Sequence, residues 1–203
     1  NLGSHIAGQD LSMSGFNIVG LSSVSATGSL LFSGNVGVIP ATGAGTRFMW
    51  YPEKQAFRAG YVTGNQWDDS NIGYRSIAMG ENTIASANSS VALGANTVAN
   101  GYASIAMGNN SKATGDVSVA MGRSTTASRE YSTAMGWSTT ASGFNSTAMG
   151  TGSTASGDYS VAIGSAVITP NGDWSIGAGQ NVRSDAINNI VLGKGLNVSN
   201  PLL

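Results

Sequence analysis

The chain has 203 residues, enough for one or two domains, and only 9% of them are charged, against about 25% in ordinary globular proteins. Its formal net charge of -1 gives no electrostatic basis for binding nucleic acid or an anionic membrane. With no cysteine and one histidine, His5, we expect no disulfide framework, no zinc site and no histidine-based triad. No apolar run approaches the length of a membrane span. We therefore predict no catalytic residue, no cofactor, no metal and no direct membrane contact.

Residues 1–40 are rich in glycine and serine, with apolar residues scattered among them. Within them, Gly28–Ser33 and Val36–Pro40 flank a Gly-Asn pair, and a glycine in first position suits the type II′ turn of a β-hairpin. The run Asp10–Gly15 resembles the shafts of tail fibres and surface fibres. We predict that this first domain is a β segment of the shaft type.

Residues 41–75 concentrate aromatic side chains just before the repeats begin. Thr46–Tyr51 and Ala56–Tyr61 flank a turn that begins at Pro52, which predicts a β-hairpin. A stack of repeats leaves open sheet edges at its end, and bulky side chains on a hairpin are suited to cover them as a cap. The alternative is a carbohydrate-binding platform of stacked Trp and Tyr; we favour the cap. The acidic run at residues 68–71 lacks the spaced ligands of a calcium loop, so we interpret it as a polar turn.

Residues 76–203 form the third predicted domain, which begins with a strict fourteen-residue repeat. Ala stands two places, and Ser four places, before each repeated glycine. A period this strict indicates stacked units that cannot bury their apolar faces alone. Fourteen residues are too few for two helices and a turn, so each repeat is predicted to be one coil of a narrow β-solenoid with two short strands. We place the repeated glycines at the coil turns: Gly80, Gly94, Gly108, Gly122, Gly136, Gly150 and Gly164.

Side chains alternate along a strand, which sorts the first strand of each coil into two faces. Ser132, Ala134 and Gly136 represent the face whose residues are always small, and we place this set inside the coil. The other face, the apolar stripe, includes five of the seven Met residues. A stripe of this extent is larger than soluble monomers tolerate, so we predict that it contacts partner chains. Its residues are Ile77, Met79, Val91, Leu93, Ile105, Met107, Val119, Met121, Thr133, Met135, Thr147, Met149, Val161 and Ile163.

The second strand of each coil becomes polar on its outer face after the second coil, and we assign this face to solvent. Thr126, Thr140 and Thr154, each followed two places later by Ser, form an outward array of hydroxyls, so an ice-binding solenoid is an alternative. Lys112 interrupts this column, which argues against ice binding.

Three aromatic residues near the coil turns either contact a ligand or, as we favour, pack against neighbouring coils or chains: Trp137, Phe144 and Tyr159.

The repeat changes phase after Gly164. The next glycine in register, Gly179, comes fifteen residues later, and Gly193 follows after fourteen more. We place the extra residue in a turn at Thr169–Gly172 and predict that the coils continue beyond it.

The motifs Ser-Val-Ala-Leu-Gly (Ser90–Gly94) and Ser-Val-Ala-Ile-Gly (Ser160–Gly164), together with the Ala that stands five places after each of the first six repeated glycines, resemble the head repeat of trimeric autotransporter adhesins, the YadA-like heads. Similar repeats occur in phage-type tail fibres. The resemblance extends from Ser76 to about Gly193. It implies an all-β protein, a left-handed parallel β-roll of fourteen-residue coils assembled as a homotrimer on a bacterial surface or a virion.

These observations predict a non-enzymatic, extracellular head or shaft segment of a surface adhesin, with a β-hairpin-rich N-terminal cap. Three copies on one rigid rod would raise the avidity of weak binding, and the expected ligand is a surface glycan or a matrix protein. The alternatives are an ice-binding β-solenoid and a receptor-binding segment of a virion tail fibre. A solenoid lyase or esterase is disfavoured because the repeats contain neither histidine nor clustered carboxylates.

Overall fold

The computed structural model describes residues 37–170 and 173–198, all within one compact unit, Ser33–Leu203. These residues form twenty β-strands and one short 3-10 helix, Asp69–Asn71, and none of their helices is long and apolar enough to cross a membrane. His5 and most of the hairpin predicted over residues 28–40 lie outside the described residues. The strands are β1 (Gly45–Tyr51), β2 (Ala56–Val62), β3 (Ile77–Glu81), β4 (Ile84–Ala85), β5 (Val91–Ala95), β6 (Val98–Ala99), β7 (Ile105–Asn109), β8 (Lys112–Ala113), β9 (Val119–Arg123), β10 (Thr126–Ala127), β11 (Thr133–Trp137), β12 (Thr140–Ala141), β13 (Thr147–Thr151), β14 (Thr154–Ala155), β15 (Val161–Ser165), β16 (Ile168–Thr169), β17 (Ile176–Gln180), β18 (Arg183–Ser184), β19 (Ile190–Lys194) and β20 (Asn197–Val198).

From β3 onward, a five-residue strand alternates with a two-residue strand, and the eighteen strands make nine such pairs. Each strand pairs in parallel with the equivalent strand of the next coil, so that Thr133 pairs with Thr147. The five-residue strands, preceded by β1 and β2, form an eleven-stranded sheet, which we call the long-strand sheet. The two-residue strands form a nine-stranded sheet, the short-strand sheet. This is the β-solenoid of fourteen-residue coils that the repeat predicts.

The phase change after Gly164 is also confirmed by the strand register. Val161 pairs with Ile176, fifteen residues later, and Ile176 pairs with Ile190, fourteen residues later. The extra residue therefore lies in the connection between Thr169 and Ile176, and it leaves the sheet pairing intact.

The interior of the solenoid consists of stacked small side chains. Ser132, which directly precedes β11, Ala134 of the long-strand sheet and Ala141 of the short-strand sheet are completely buried, as are their equivalents in the neighbouring coils. Each coil thus buries little more than a few methyl and hydroxymethyl groups, and a buried CH₂ contributes only about 0.8 kcal/mol. Stability must therefore accumulate over the contacts between adjacent coils.

A third interior column consists of hydroxyl residues that stand three places after the repeated glycines. Their side chains are completely buried, and one pair is hydrogen-bonded across coils, where Thr125 Oγ1 donates to Ser111 Oγ at 2.9 Å. This column is visible in the sequence as a Ser or Thr at a constant offset from the repeated glycine. The alternation of side chains along the strands did not predict that these residues are buried. Its members are Thr83, Thr97, Ser111, Thr125, Thr139 and Ser153.

The later coils keep the interior volume nearly constant by paired changes of size. Val167 is buried where earlier coils have Ser or Thr, and Thr169 is buried where they have Ala. Gly177 compensates for them, because a Cβ on this residue would lie 2.8 Å from Val167 Cγ1 and 3.3 Å from Thr169 Cγ2. A layer this thin tolerates a larger side chain only where a facing residue becomes smaller.

The repeated glycines lie in the long strands, contrary to the prediction that they form the coil turns. Gly122 is the fourth residue of β9, with φ of 129°, and Gly136, which we had placed inside, is exposed. A Cβ built on Gly122 would lie 2.0 Å from the carbonyl oxygen of Gly136 in the next coil. Glycine is therefore required both by its positive φ and by the close approach of the neighbouring backbone.

The residues that hold left-handed backbone conformations in the turns are mostly not glycine. Asn82 and Asn96, each two places after a repeated glycine, have φ of 49° and 53°. Asn adopts this region more readily than most residues because its short polar side chain can hydrogen-bond locally. In the second turn of each coil the same conformation falls on varied residues, including Val117 with φ of 54° and Tyr131 with φ of 58°. In the first turn of each coil, the left-handed position is thus mostly occupied by Asn or Ser, whereas the repeated glycines lie where the backbones of neighbouring coils approach closely.

At the N-terminal end, β2 adds a layer on top of the first coil and places an arginine in it. Arg58 pairs with Ala78 in the parallel ladder and is completely buried. Its guanidinium donates to Ser76 O at 3.0 Å, to Ser76 Oγ at 2.8 Å and to Ala85 O at 3.0 Å. Burial lowers the pKa of Arg58 to about 10, and no carboxylate pairs with it within the described residues.

The same layer is completed by Trp67 and Val62, which are both buried and belong to one apolar cluster with Ala78. Trp67 Nε1 donates to Thr83 O at 2.8 Å, so the indole covers the edge of the first coil. Large side chains thus occupy the level at which a further coil would place its Ser, Ala and Thr.

We expect Gly122→Ala to lower the free energy of unfolding by at least about 3 kcal/mol, because its methyl group must displace the backbone of the next coil in addition to straining φ. Gly152→Ala is the matched control. Gly152 has φ of 59° with no atom within 4 Å of its Cβ position, and Ala166 already occupies the equivalent place with φ of 51°. Its cost should be backbone strain alone, about 1 kcal/mol. Denaturant unfolding followed by circular dichroism measures both, and equal losses would contradict the close-contact explanation.

Arg58→Met should leave the stability unchanged or raise it, because an apolar side chain of similar length fills the layer without a buried charge. Arg58→Ala removes the same charge but leaves a cavity, and we expect it to cost about 2–5 kcal/mol. Chemical denaturation of the two variants separates charge from volume. A large loss in Arg58→Met would show that the guanidinium hydrogen bonds outweigh the desolvation of the charge.

Candidate functional site

The apolar stripe lies on the outer face of the long-strand sheet. Thr133 and Met135 alternate along β11 with Ala134, which is buried, so the strand period determines which side chains face outward. None of the fourteen residues that we predicted to face a partner is buried in the single chain, and Met79 is 43% exposed. The arrangement gives each chain a long apolar surface that its own fold does not cover.

Parallel in-register pairing aligns the stripe into two straight columns. Met135 pairs with Met121 on one side and with Met149 on the other, at the spacing of neighbouring strands. The register extends the columns beyond the predicted residues, to Ile176 and Ile190 in one and to Ala178 and Leu192 in the other. Neither column contains Asp, Glu, Lys or Arg in any of its nine coils. Depletion of charge is typical of the centre of a protein–protein interface.

A third outward column borders the stripe one place after each repeated glycine. Its residues are polar, charged or small with one exception, Trp137, and most of them are exposed. A polar margin beside an uncharged apolar surface is the arrangement of rim and core found in interfaces. The column consists of Glu81, Ala95, Asn109, Arg123, Trp137, Thr151, Ser165, Gln180 and Lys194.

An aromatic ladder runs along one turn of the solenoid and packs coil against coil. The ring centroids of Tyr131 and Phe144 lie 5.6 Å apart, and those of Phe144 and Tyr159 lie 5.4 Å apart, both edge-to-face. Tyr159 stacks on Trp174 at 4.1 Å. Such pairs contribute about 0.5–1.5 kcal/mol beyond their buried area. Phe144 and Tyr159 therefore pack against neighbouring coils, as we favoured, whereas Trp137 lies outside this ladder.

Acidic residues in the same turn hydrogen-bond to backbone amides of the preceding coil. Asp116 Oδ1 accepts from Tyr102 N at 2.7 Å, and Asp158 Oδ1 accepts from Phe144 N at 2.7 Å. Asp173 Oδ1 accepts from Asp158 N at 2.8 Å. These carboxylates order the turn. Across the described residues, no three His, Cys, Asp or Glu side chains come together as a metal site.

The acidic run at residues 68–71 packs against the hairpin. Asp69 Oδ1 lies 2.9 Å from Lys54 Nζ and accepts a 2.9 Å hydrogen bond from the Tyr51 hydroxyl. These two donors hold the pKa of Asp69 below its usual value. Burial, reinforced by Asp69, raises the pKa of Tyr51 to about 12. Asp68 Oδ1 accepts from Gly43 N at 2.6 Å, so protein donors engage both carboxylates in the polar turn.

The hydroxyl array lies on the outer face of the short-strand sheet and spans three coils. Thr126, Thr140 and Thr154 pair in register. Lys112 precedes the array in the ladder and Ile168 follows it. The flat hydroxyl surface is therefore bounded on both sides, which limits the area available to an ice lattice.

Four segments of the solenoid match the family model of the YadA head domain repeat, in which one model comprises two copies: residues 72–97, 99–123, 113–139 and 141–166. No curated protein matches the chain. The matched segments cover the coils whose long strands carry the apolar stripe. Residues 72–166, a little under half of the chain, therefore match the YadA head domain repeat, which supports a head like those of the YadA-like trimeric autotransporter adhesins.

Proposed function

We propose that the chain is a non-enzymatic head segment of an extracellular surface adhesin and that it assembles as a homotrimer through the apolar stripe. The observation that carries the proposal is the pair of outward columns without a charged residue over nine coils. Adhesins with this head repeat are exposed at the cell surface, which supports the extracellular setting.

The energy of the stripe favours assembly. Full burial of one Met or Ile side chain contributes roughly 1.5–3 kcal/mol, and each coil presents two outward positions of which at least one is apolar. The interior of most coils buries only small side chains, so the stripe is the largest apolar surface whose burial could still stabilise the chain. Association of chains would release it.

Rotational symmetry fits a surface of this shape. Identical chains related by an axis along the roll place each coil beside its own equivalent, so straight columns meet straight columns. The family implies three chains and a left-handed coil, and we adopt both. The rod that results would carry three copies of every weak binding surface, which raises avidity through effective concentration.

The remaining surfaces have separate roles in the proposal. Residues 41–75 cap the N-terminal end of the roll (residues 76–203), whereas most of the shaft-type segment predicted over residues 1–40 lies outside the described residues. The polar face of the short-strand sheet stays in solvent. A surface glycan or a matrix protein is the expected ligand of the assembled head.

Met135→Glu should prevent assembly, because it places a carboxylate in the centre of the buried stripe, where desolvation costs several kcal/mol per chain. Thr140→Glu is the matched control: it adds the same charge in the same coil, on the outer face of the short-strand sheet. Multi-angle light scattering should show monomers or aggregates for Met135→Glu and trimers for Thr140→Glu. A stable Met135→Glu trimer would mean that the stripe is not the interface.

A further inference from the structure

The N-terminal hairpin belongs to the same sheet as the apolar stripe. The order of the long-strand sheet begins β1-β2-β3, and β2 pairs in parallel with β3. In this register Phe57 pairs with Ile77 and Ala59 pairs with Met79. Both columns of the stripe thus continue onto β2 without a break.

The antiparallel pairing of the hairpin carries the columns onto β1 as well. Trp50 pairs with Phe57 and Phe48 pairs with Ala59. Phe48 is 70% exposed, and its ring meets the ring of Phe57 edge-to-face at 4.9 Å. A large aromatic side chain so exposed on a sheet face otherwise filled with apolar side chains extends the uncovered surface of the single chain.

Strand alternation keeps the charges of the hairpin off this face. Arg47 and Arg58 lie on the opposite face of β1 and β2, where Arg58 enters the core and Arg47 donates to the backbone carbonyls of Ala41 and Gly43. The outward positions that continue the two columns are therefore uncharged in the hairpin too.

The burial of two aromatic rings in residues 41–75 argues against a carbohydrate-binding platform there. A carbohydrate platform of stacked Trp and Tyr would need exposed ring faces, but Trp67 and Tyr51 are buried. Trp67 covers the first coil, and Tyr51 hydrogen-bonds to Asp69. On the outward face of β1 and β2, Phe48, Trp50 and Phe57 continue the stripe, and the exposed Tyr61 lies in the neighbouring column that contains Glu81.

We propose that Phe48, Trp50 and Phe57 form an N-terminal extension of the self-association surface and that its occupant is the same hairpin of a second copy of the chain. This inference rests on the proposed assembly through the stripe. Symmetry about an axis along the roll keeps equivalent levels side by side, so a copy that covers Ile77 and Met79 also brings its hairpin beside this one. The aromatic side chains of the hairpin then contact the hairpin of the neighbouring copy at the end of the assembly, and the hairpin also covers the first coil.

The absence of cysteine from the chain allows a direct test with single thiols. Phe48→Cys and Ala59→Cys report on the hairpin, Met79→Cys reports on the stripe, and Lys112→Cys is the exposed control on the short-strand sheet. Ala59→Cys leaves all three aromatic rings in place. The rate of reaction with dithiobis(nitrobenzoate) is measured on the assembled, full-length protein after circular dichroism has verified folding.

We expect the thiols at 48, 59 and 79 to react at least about tenfold more slowly than the thiol at 112, because a thiol covered by a partner reacts only when the interface opens. Since Phe48 is 70% exposed in the single chain, its own fold cannot provide this protection. A slow thiol at 79 with a fast thiol at either hairpin position in a folded variant overturns the extension and leaves the stripe as the interface. Fast reaction at all positions overturns the proposed assembly itself. If Phe48→Cys does not fold, Ala59→Cys decides alone.

Discussion

The constraint on which the structure depends is the thinness of the space between its two sheets. Each coil offers one layer for side chains, and Ser132, Ala134, Thr139 and Ala141 fill it completely. Gly177 replaces the Ala of the earlier coils at the point where Val167 is buried beside it, which shows that the layer has no room for both side chains. Larger apolar residues of the long strands of the coils therefore face outward, with the exception of Val191, which is buried and pairs with Gly177. The same constraint that makes the core regular thus leaves the single chain with an uncovered apolar face, which is the surface that we propose to be shared between copies.

The hairpin of β1 and β2 departs from the thin core on its inner side and continues the apolar columns on its outer side. Arg58 and Trp67 fill the level at which the coils from Ser76 to Ala162 bury only Ser, Ala and Thr side chains, and only one coil lies against this level. On the outer side, the same two strands carry aromatic residues in the columns that Met and Ile occupy further along. One element thereby terminates the core and continues the outer surface, so in the proposed assembly the hairpin would stabilise both the single chain and the contact between chains.

Much of this architecture could be predicted from the sequence, because an in-register solenoid repeats each structural requirement in every coil. The buried Ser and Ala, the outward Met column and the phase change after Gly164 all follow from spacing. The position of the repeated glycines could not be read this way, since their role depends on the carbonyl of the next coil, as at Gly122. Nor could the burial of Arg58, because arginine is normally exposed and its position is set by pairing with Ala78, twenty residues away. Features of a single copy, such as Trp67 over Thr83, carry no periodic signal at all.

The central claim is that the uncovered face of the long-strand sheet is buried between chains. Sedimentation equilibrium of the unmodified protein at micromolar concentration tests it most directly, because the method measures mass without any assumption about shape. The account predicts a single species of three times the chain mass of 20.5 kDa, which persists on dilution. A stable, well-folded species of 20.5 kDa would contradict it, since the apolar columns would then remain exposed to water without penalty.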